Sequence, residues 1–456
     1  MLAVRLVAPL HDARTASAAP HLDPTMIPRI PIASLTPEEF RERFMAPNLP
    51  VMLTGAADSW RATAEWVAAA GQPAVSTLAT LFPDSEVSVV DGKGKRRDMS
   101  ISDYAAWWER RGEGEPPLYL KDWHLPRLHA EYGAYALPAH VADDWLNEHW
   151  SATSGGDGDD GDDSGGDHRF VYVGPAGSRT ALHADVFFSF SWSANVCGSK
   201  RWWLLPAADR RLVSDAATQP LAKDIRTLPA AAARAIEVEQ GAGELLFVPS
   251  GWYHQVENTA DTISVNHNWL NACNAHWALL RLREVLAAVR AGLGEGATPF
   301  EADDQDLCMG LLRARCGLDL YEWAELLAGV ARRRLPRLAP PARATAATAA
   351  GGLPAASVAS AAAVAASSAA TPARVREDVE VAAALLGETI ELLSVEAAGW
   401  EELEEQRHAQ LLTLRRELGE VERVLRAAAE GNEGGRKRCR PAPLGPEVVP
   451  SVPPEQ

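Results

Sequence analysis

The stretch Thr180-Ala181-Leu182-His183-Ala184-Asp185-Val186-Phe187-Phe188-Ser189-Phe190-Ser191-Trp192-Ser193-Ala194-Asn195-Val196-Cys197-Gly198-Ser199-Lys200 sets His183 and Asp185 two residues apart. In an extended chain side chains alternate between faces, so this spacing places an imidazole and a carboxylate side by side. Two such groups make two thirds of a metal site. A third ligand of the same kind stands downstream, where Gly243-Glu244-Leu245-Leu246-Phe247-Val248-Pro249-Ser250-Gly251-Trp252 forms a strand and a turn that present His254. A lone His on an apolar strand is more often a satisfied core residue than a ligand. The combination of His183-x-Asp185 with a second strand-end His is what marks the three as a metal set. Two His and one carboxylate form the facial triad of non-heme Fe(II) centres, which leaves the remaining coordination positions open.

Outward from this stretch, residues 169–270 read as short β runs rich in Val, Phe, Trp and Leu, broken by Gly, Pro and polar turns. Strands are expected at 170–173, 187–192, 201–205, 244–248 and 262–269, with an Ala-rich lobe at 209–239 between two of them. Antiparallel strands at this density predict a jelly roll, the double-stranded β-helix of cupins. The chain therefore reads as mainly β with flanking helices, plus an α-helical C-terminal region.

Upstream, residues 1–27 read as a disordered N-terminus. Ser34 or Thr36 can cap a helix that opens with Pro37, Glu38 and Glu39 and runs to about Phe44. Short strands are expected around 51–54, 86–90 and 117–123, with helices at Trp60–Trp66, at 101–108 and up to Trp150. Residues 154–167 contain mainly Gly, Asp and Ser and read as a disordered acidic insert, unable to bury enough apolar area to offset its ordering entropy. Downstream, helices are expected at 275–291, 302–316 and 320–333. An Ala/Ser/Pro linker spans 336–371, a helical region 372–430 and a disordered tail 431–456. The linker thus sets residues 28–335 apart from the helices beyond it. Leu411, Leu414, Leu418, Val421 and Leu425 make an a/d seam of about two heptads, read as a hairpin docked on its own domain or as a surface for self or partner association.

The 456 residues carry a net charge of −17, which argues against a nucleic-acid-tracking surface. Five scattered Cys without a C-x-x-C motif predict a reducing compartment, with neither disulfides nor a zinc cluster. No run approaches the roughly 20 apolar residues of a membrane span.

These residues carry a resemblance. The runs 169–177, His183-Ala184-Asp185, 189–198, 243–252 and Ile263-Ser264-Val265-Asn266-His267-Asn268-Trp269 resemble a Jumonji-C domain. More narrowly, they resemble the subgroup that hydroxylates a lysine of the eukaryotic translation release factor. The resemblance covers about residues 28–335. It implies an enzyme using Fe(II), 2-oxoglutarate and O2, with metal ligands His183, Asp185 and His254. It further implies that Lys200 holds the distal carboxylate of 2-oxoglutarate, assisted by Thr180 and Tyr119, and that Asn266 lies near the cosubstrate's other end. Ser193 is a weaker candidate because the strand reads as bulged there. Phe187, Phe188, Trp192, Trp202, Trp203 and Trp252 suit a shielded pocket.

The expected function is lysyl C4 hydroxylation of the release factor in the cytoplasm, with the nucleus as the alternative given the basic cluster at 436–440. The competing functions are N-methyl-lysine demethylation of histones and a catalytically idle scaffold.

Overall fold

The computed structural model describes residues 26–112, 114–153, 167–213, 221–293, 302–338, 371–397 and 405–438. The calls made on residues 1–25, on most of the acidic insert, on linker residues 339–370 and on 439–456 lie outside them.

Thirteen strands build two facing sheets among the described residues. They are β1 (Arg29–Pro31), β2 (Val51–Thr54), β3 (Glu86–Val90), β4 (Arg96–Ser100), β5 (Tyr119–Trp123), β6 (Arg169–Gly174) and β7 (Arg179–His183), followed by β8 (Phe190–Cys197), β9 (Lys200–Leu205), β10 (Ile236–Gln240), β11 (Leu245–Val248), β12 (Tyr253–Asn258) and β13 (Thr262–Trp269). The large sheet has the order β1-β2-β11-β8-β13-β6-β5-β3-β4 and the small one β10-β9-β12-β7. Only the β1–β2 pair is parallel among the described pairs. This is the expected jelly roll, its large sheet widened by the N-terminal strands.

The period-2 alternation of β8 and β13 decides which face is which. Trp192, Ala194, Val196, Ile263, Val265 and Trp269 pack outward against Phe40, Phe44, Trp60 and Trp66 of the N-terminal segments. Each large side chain buried there contributes about 1.5–3 kcal/mol. The alternate positions, Ser191, Ser193 and Asn195 with Ser264, Asn266 and Asn268, turn into the roll, so its interior is polar. The N-terminal helix Pro37–Phe40 is capped by Thr36 rather than Ser34. The Glu39 amide donates to Thr36 Oγ1 at 3.2 Å, and the Thr36 amide returns a bond to Glu39 Oε2 at 2.8 Å.

Several expectations need correction. Asp167, read as the end of the acidic insert, is buried and accepts from Arg169 Nε at 2.6 Å, so it belongs to the start of the roll. Ile27 is likewise buried, packed in a cluster with Met52 and Trp202. The expected strand at 187–192 begins only at Phe190, because Val186–Phe188 turns with Phe187 at φ 37° and Phe188 at φ 54°. Strand β10 lies inside the presumed Ala-rich lobe. The extended stretch read around His183 is β7, which ends at His183 and leaves Asp185 beyond it, whereas β12 was hidden because its inward positions carry polar, site-forming residues. The bulge expected at Ser193 lies three residues further on, at Val196, opposite Ile263 and Ser264, and Ser193 itself pairs regularly with Leu246 and Asn266. Residues 335–338 form a helical turn whose Leu335 and Leu338 pack against Val379 and Ala383, so the linker begins later than 336.

The C-terminal helices Ala275–Leu293, Ala302–Cys316, Leu320–Arg334, Pro372–Ala397 and Glu405–Arg438 pack into one bundle against the roll. The last of them runs through residues 431–438, where disorder was expected. Of the a/d seam, Leu411 and Leu414 are buried among Leu326, Leu386 and Ile390, and Val421 against Val379. The seam is spent inside the chain.

Arg334 fastens this bundle to the catalytic domain. Its guanidinium is buried and donates to Asp378 Oδ2 at 2.8 Å, Glu148 Oε2 at 2.8 Å and Asp143 Oδ1 at 3.1 Å. Burial, helped by Asp143, outweighs Arg334 and raises the Asp378 carboxyl to about 7. Removing the cation leaves that carboxyl buried without its partner, a loss of about 3–5 kcal/mol. Arg334→Met is therefore expected to lower the melting temperature by many degrees in calorimetry; an unchanged Tm would show the cluster to be energetically idle.

Candidate metal centre and cosubstrate pocket

Adjacent antiparallel strands β7 and β12 bring His183 and His254 into direct register. Their rings lie 4.2 Å apart, centroid to centroid. Asp185 follows just beyond the end of β7, and one ligand atom from each of the three residues falls within 4.8 Å of the others. His183 Nδ1 faces the Ala181 carbonyl at 2.9 Å and His254 Nδ1 the Trp252 carbonyl at 3.1 Å. A carbonyl only accepts, so Nδ1 carries the proton in both rings and Nε2 is left for a metal. Burial, then the neighbouring His254, lowers the His183 pKa to about 4, which keeps this ring in the neutral form that ligation requires.

Asp185 is oriented from the opposite sheet. Ser191 Oγ donates to Oδ2 at 2.7 Å, and Asn268 Nδ2 donates to Oδ1 at 2.9 Å and to Ser189 Oγ at 3.2 Å. Losing such a supporting bond typically costs 10–100-fold in metal affinity. Asn268→Ala is expected to weaken Mn(II) binding by that factor in titration calorimetry. Unaltered affinity would remove Asn268 from the orienting role.

Lys200 is 2% exposed at the start of β9. Its ammonium donates to Ser264 Oγ at 2.7 Å and Ser193 Oγ at 3.2 Å, and Asn266 Nδ2 donates to the same Ser264 Oγ at 3.0 Å. No carboxylate lies within ion-pairing distance of it among the described residues. Burial, with a contribution from Lys121, lowers its pKa to about 7. A buried cation without a counter-charge is costly, and an anion supplied from outside relieves that cost. The pocket therefore fits a ligand carboxylate.

Tyr119 sits on β5 with its hydroxyl facing Thr180 and Asn258, and burial pushes its pKa up, so it remains a neutral donor. Asn258 pairs with Lys200 across β12 and β9. Gly174 makes room for this arrangement, since a Cβ there would lie 2.5 Å from the Tyr119 ring and 2.9 Å from Asn258 Nδ2. The structure thus gathers Lys200, Ser193 and Asn266 at one cluster and Tyr119 and Thr180 beside it.

Sequence reasoning missed Ser191, Asn268, Ser264, Asn258 and Lys121. The polar alternation Thr262-Ser264-Asn266-Asn268 in an otherwise apolar strand was the available signal for two of them. Lys121 donates to Thr180 Oγ1 at 3.2 Å. A register irregularity between Leu120 and Trp123, with Asp122 at φ 58°, turns it inward, and no sequence pattern announces that.

The expected aromatic shield is largely elsewhere. Trp202 does stand beside the site, 5.8 Å from the His254 ring. Trp192 faces outward and stacks on His267, Trp203 points to the far side of its sheet, and Trp252 donates to the Asn48 carbonyl. Phe187 packs into the helical bundle and Phe188 lies against Trp277 on its first helix.

With the roll, the triad and the carboxylate pocket in place, comparison with known proteins agrees: residues 37–275 match the model of the cupin-like domain, and the chain belongs to that family as a Jumonji-C member. Among curated relatives it is 35% identical over 318 residues to the zebrafish (Danio rerio) "2-oxoglutarate and iron-dependent oxygenase JMJD4", covering 65% of this chain and 73% of that one. It is 42% identical over 316 residues to the Arabidopsis thaliana "Arginine-specific demethylase JMJ20", covering 65% and 68%. More distantly, it is 30% identical over 269 residues to the Caenorhabditis elegans "Bifunctional arginine demethylase and lysyl-hydroxylase psr-1", covering 55% and 62%.

Proposed function

We propose that this chain hydroxylates a lysine at C4 in the eukaryotic translation release factor, as an Fe(II)- and 2-oxoglutarate-dependent oxygenase. The observation that carries the oxygenase class is the pairing of a His-Asp-His triad with a buried, uncompensated lysine inside one polar roll. Iron with 2-oxoglutarate supplies oxidising power from O2, coupled to decarboxylation of the cosubstrate.

The chain's own residues bind and orient. His183, Asp185 and His254 would hold the metal. Lys200, with Ser193 and Ser264, would take the distal carboxylate of 2-oxoglutarate, and Tyr119 and Thr180 would donate beside it. Asn266 Nδ2 and Lys200 Nζ both donate to Ser264 Oγ, which supports a role for Asn266 beside that carboxylate group rather than at the cosubstrate's other end. Lys121 adds a second cation at the Thr180 side. Trp202 covers the His254 and Lys200 side and limits water there.

Lysine hydroxylation at the release factor rests on the likeness of the 169–270 segment to that subgroup, and it implies a cytoplasmic site of action. A second reading, N-demethylation of methylated arginine, is favoured by the likeness to the Arabidopsis arginine-specific demethylase. Purified protein with Fe(II), 2-oxoglutarate, O2 and a release factor is expected to add 16 Da to one lysine by mass spectrometry. Loss of 14 Da from a methyl-arginine peptide, with an unmodified release factor, would establish the second reading instead.

A further inference from the structure

Two and three residues past Asp185 stand two buried aromatic residues in left-handed backbone, Phe187 at φ 37° and Phe188 at φ 54°. Bulky residues avoid this region, and such a conformation persists only where the surroundings over-determine it. What over-determines it here is the helical bundle. Phe187 is buried in the bundle core with Leu270, Ala275 and Leu279, and a Cβ on Gly317 would lie 3.4 Å from its ring. Phe188 meets Trp277 edge-on, centroids 6.5 Å apart and planes at 74°, and the Arg281 guanidinium lies 5.1 Å from its ring centroid.

The same Trp277 touches the second ligand loop. Its ring lies 3.1 Å from where a Cβ on Gly251 would stand, three residues before His254. One turn earlier, Asn274 Nδ2 donates to Ser250 Oγ at 3.2 Å in that same loop. The helix Ala275–Leu293, which begins where the cupin-like match ends, therefore contacts the loop after Asp185 on one side and the turn before His254 on the other.

We infer that this helix, acting through Trp277, is a positioning element of the metal centre: it sets the separation of Asp185 from His254 without touching the metal. The inference rests on the oxygenase reading above. The β7–β12 ladder fixes His183 against His254, whereas Asp185 lies beyond the end of β7, so its separation from His254 depends on contacts outside the ladder. The turn Ala207–Leu212 meets the same two loops, through Ala207 near Gly251 and Arg210 over Phe188, but the Trp277 ring makes the nearer approach to Gly251. A brace that fixes their separation raises metal affinity by pre-organisation, because the cost of aligning the ligands is met on folding rather than on binding.

The test uses the full chain and Mn(II) as a redox-stable probe in titration calorimetry. Trp277→Ala is expected to weaken Mn(II) binding by about 10-fold or more, the range of other groups that orient ligands indirectly. Trp277→Phe, which keeps a ring in the gap, is expected to restore most of the affinity. Leu414→Ala is the control: it lies in the same bundle core but far along the chain from both loops, and is expected to lower Tm while leaving Mn(II) affinity unchanged. Wild-type affinity in Trp277→Ala, or an equal loss in Leu414→Ala, would overturn the inference and reduce the helix to general support. A wild-type protein that binds neither Mn(II) nor Fe(II) would overturn the oxygenase reading, and the inference with it.

Discussion

Asp185→Ala is expected to abolish metal retention and, with it, all turnover of 2-oxoglutarate. Asp185 is the one carboxylate in the ligand set, so its removal leaves two imidazoles and no anionic ligand. The change also removes the acceptor of Ser191 Oγ and leaves Asn268 Nδ2 only its bond to Ser189 Oγ. Supporting residues alone cost up to about 100-fold in affinity, and a ligand removed outright should exceed that. Metal analysis after dialysis against Fe(II) measures the effect directly. Because Asp185 sits beyond the end of β7 rather than within the core, Tm should fall little. Stoichiometric iron in the variant would sink the assignment of this residue.

The second large effect concerns Lys200. Lys200→Met keeps much of the volume and removes the charge, so the loss falls on the ligand. Truncating one partner of a buried, hydrogen-bonded charge pair costs about 2–5 kcal/mol, or roughly 30- to several-thousand-fold in the dissociation constant for 2-oxoglutarate. Iron binding should be nearly unchanged, and the Tm increase that 2-oxoglutarate gives the wild type should disappear. The sign of the pH dependence follows from the lowered pKa of about 7 in the ligand-free protein. The ligand needs the ammonium, so wild-type affinity should hold below pH 7 and decline above it, by up to about tenfold per pH unit. In the ligand-free protein the sign reverses. Between pH 7 and the usual lysine range the unfolded chain binds more protons than the native one, so stability from this group rises with pH. A flat affinity profile from pH 6 to 9 would show that Lys200 does not meet the anion.

How far the sequence speaks depends on what each position has to satisfy. His183, Asp185 and His254 were legible because ligation demands particular residue types at particular strand positions. Lys200 and Tyr119 came from family likeness, since a buried Lys and an exposed one look the same in a sequence. β13 announced itself through Ile263, Val265 and Trp269, whereas β12 did not, because His254, Gln255 and Asn258 break the apolar signal where the site needs polarity. The turn at Phe187 and Phe188 reads as strand by composition alone. Only the bundle that receives Phe187, contributed by residues about 90 to 130 positions later, forces it out of the extended region. The leucine seam was equally plain and its destination equally hidden: a period states that a face is apolar and leaves open which chain will cover it.

The serines and asparagines that line the inside of the roll have a consequence for how this protein can change. An apolar substitution at Ser193 or Ser264 would take an acceptor from the buried Lys200 ammonium, so it would cost stability as well as the space proposed for the cosubstrate. These positions therefore cannot drift toward an apolar core while the lysine stays, and the polar lining and the cation must change together or not at all.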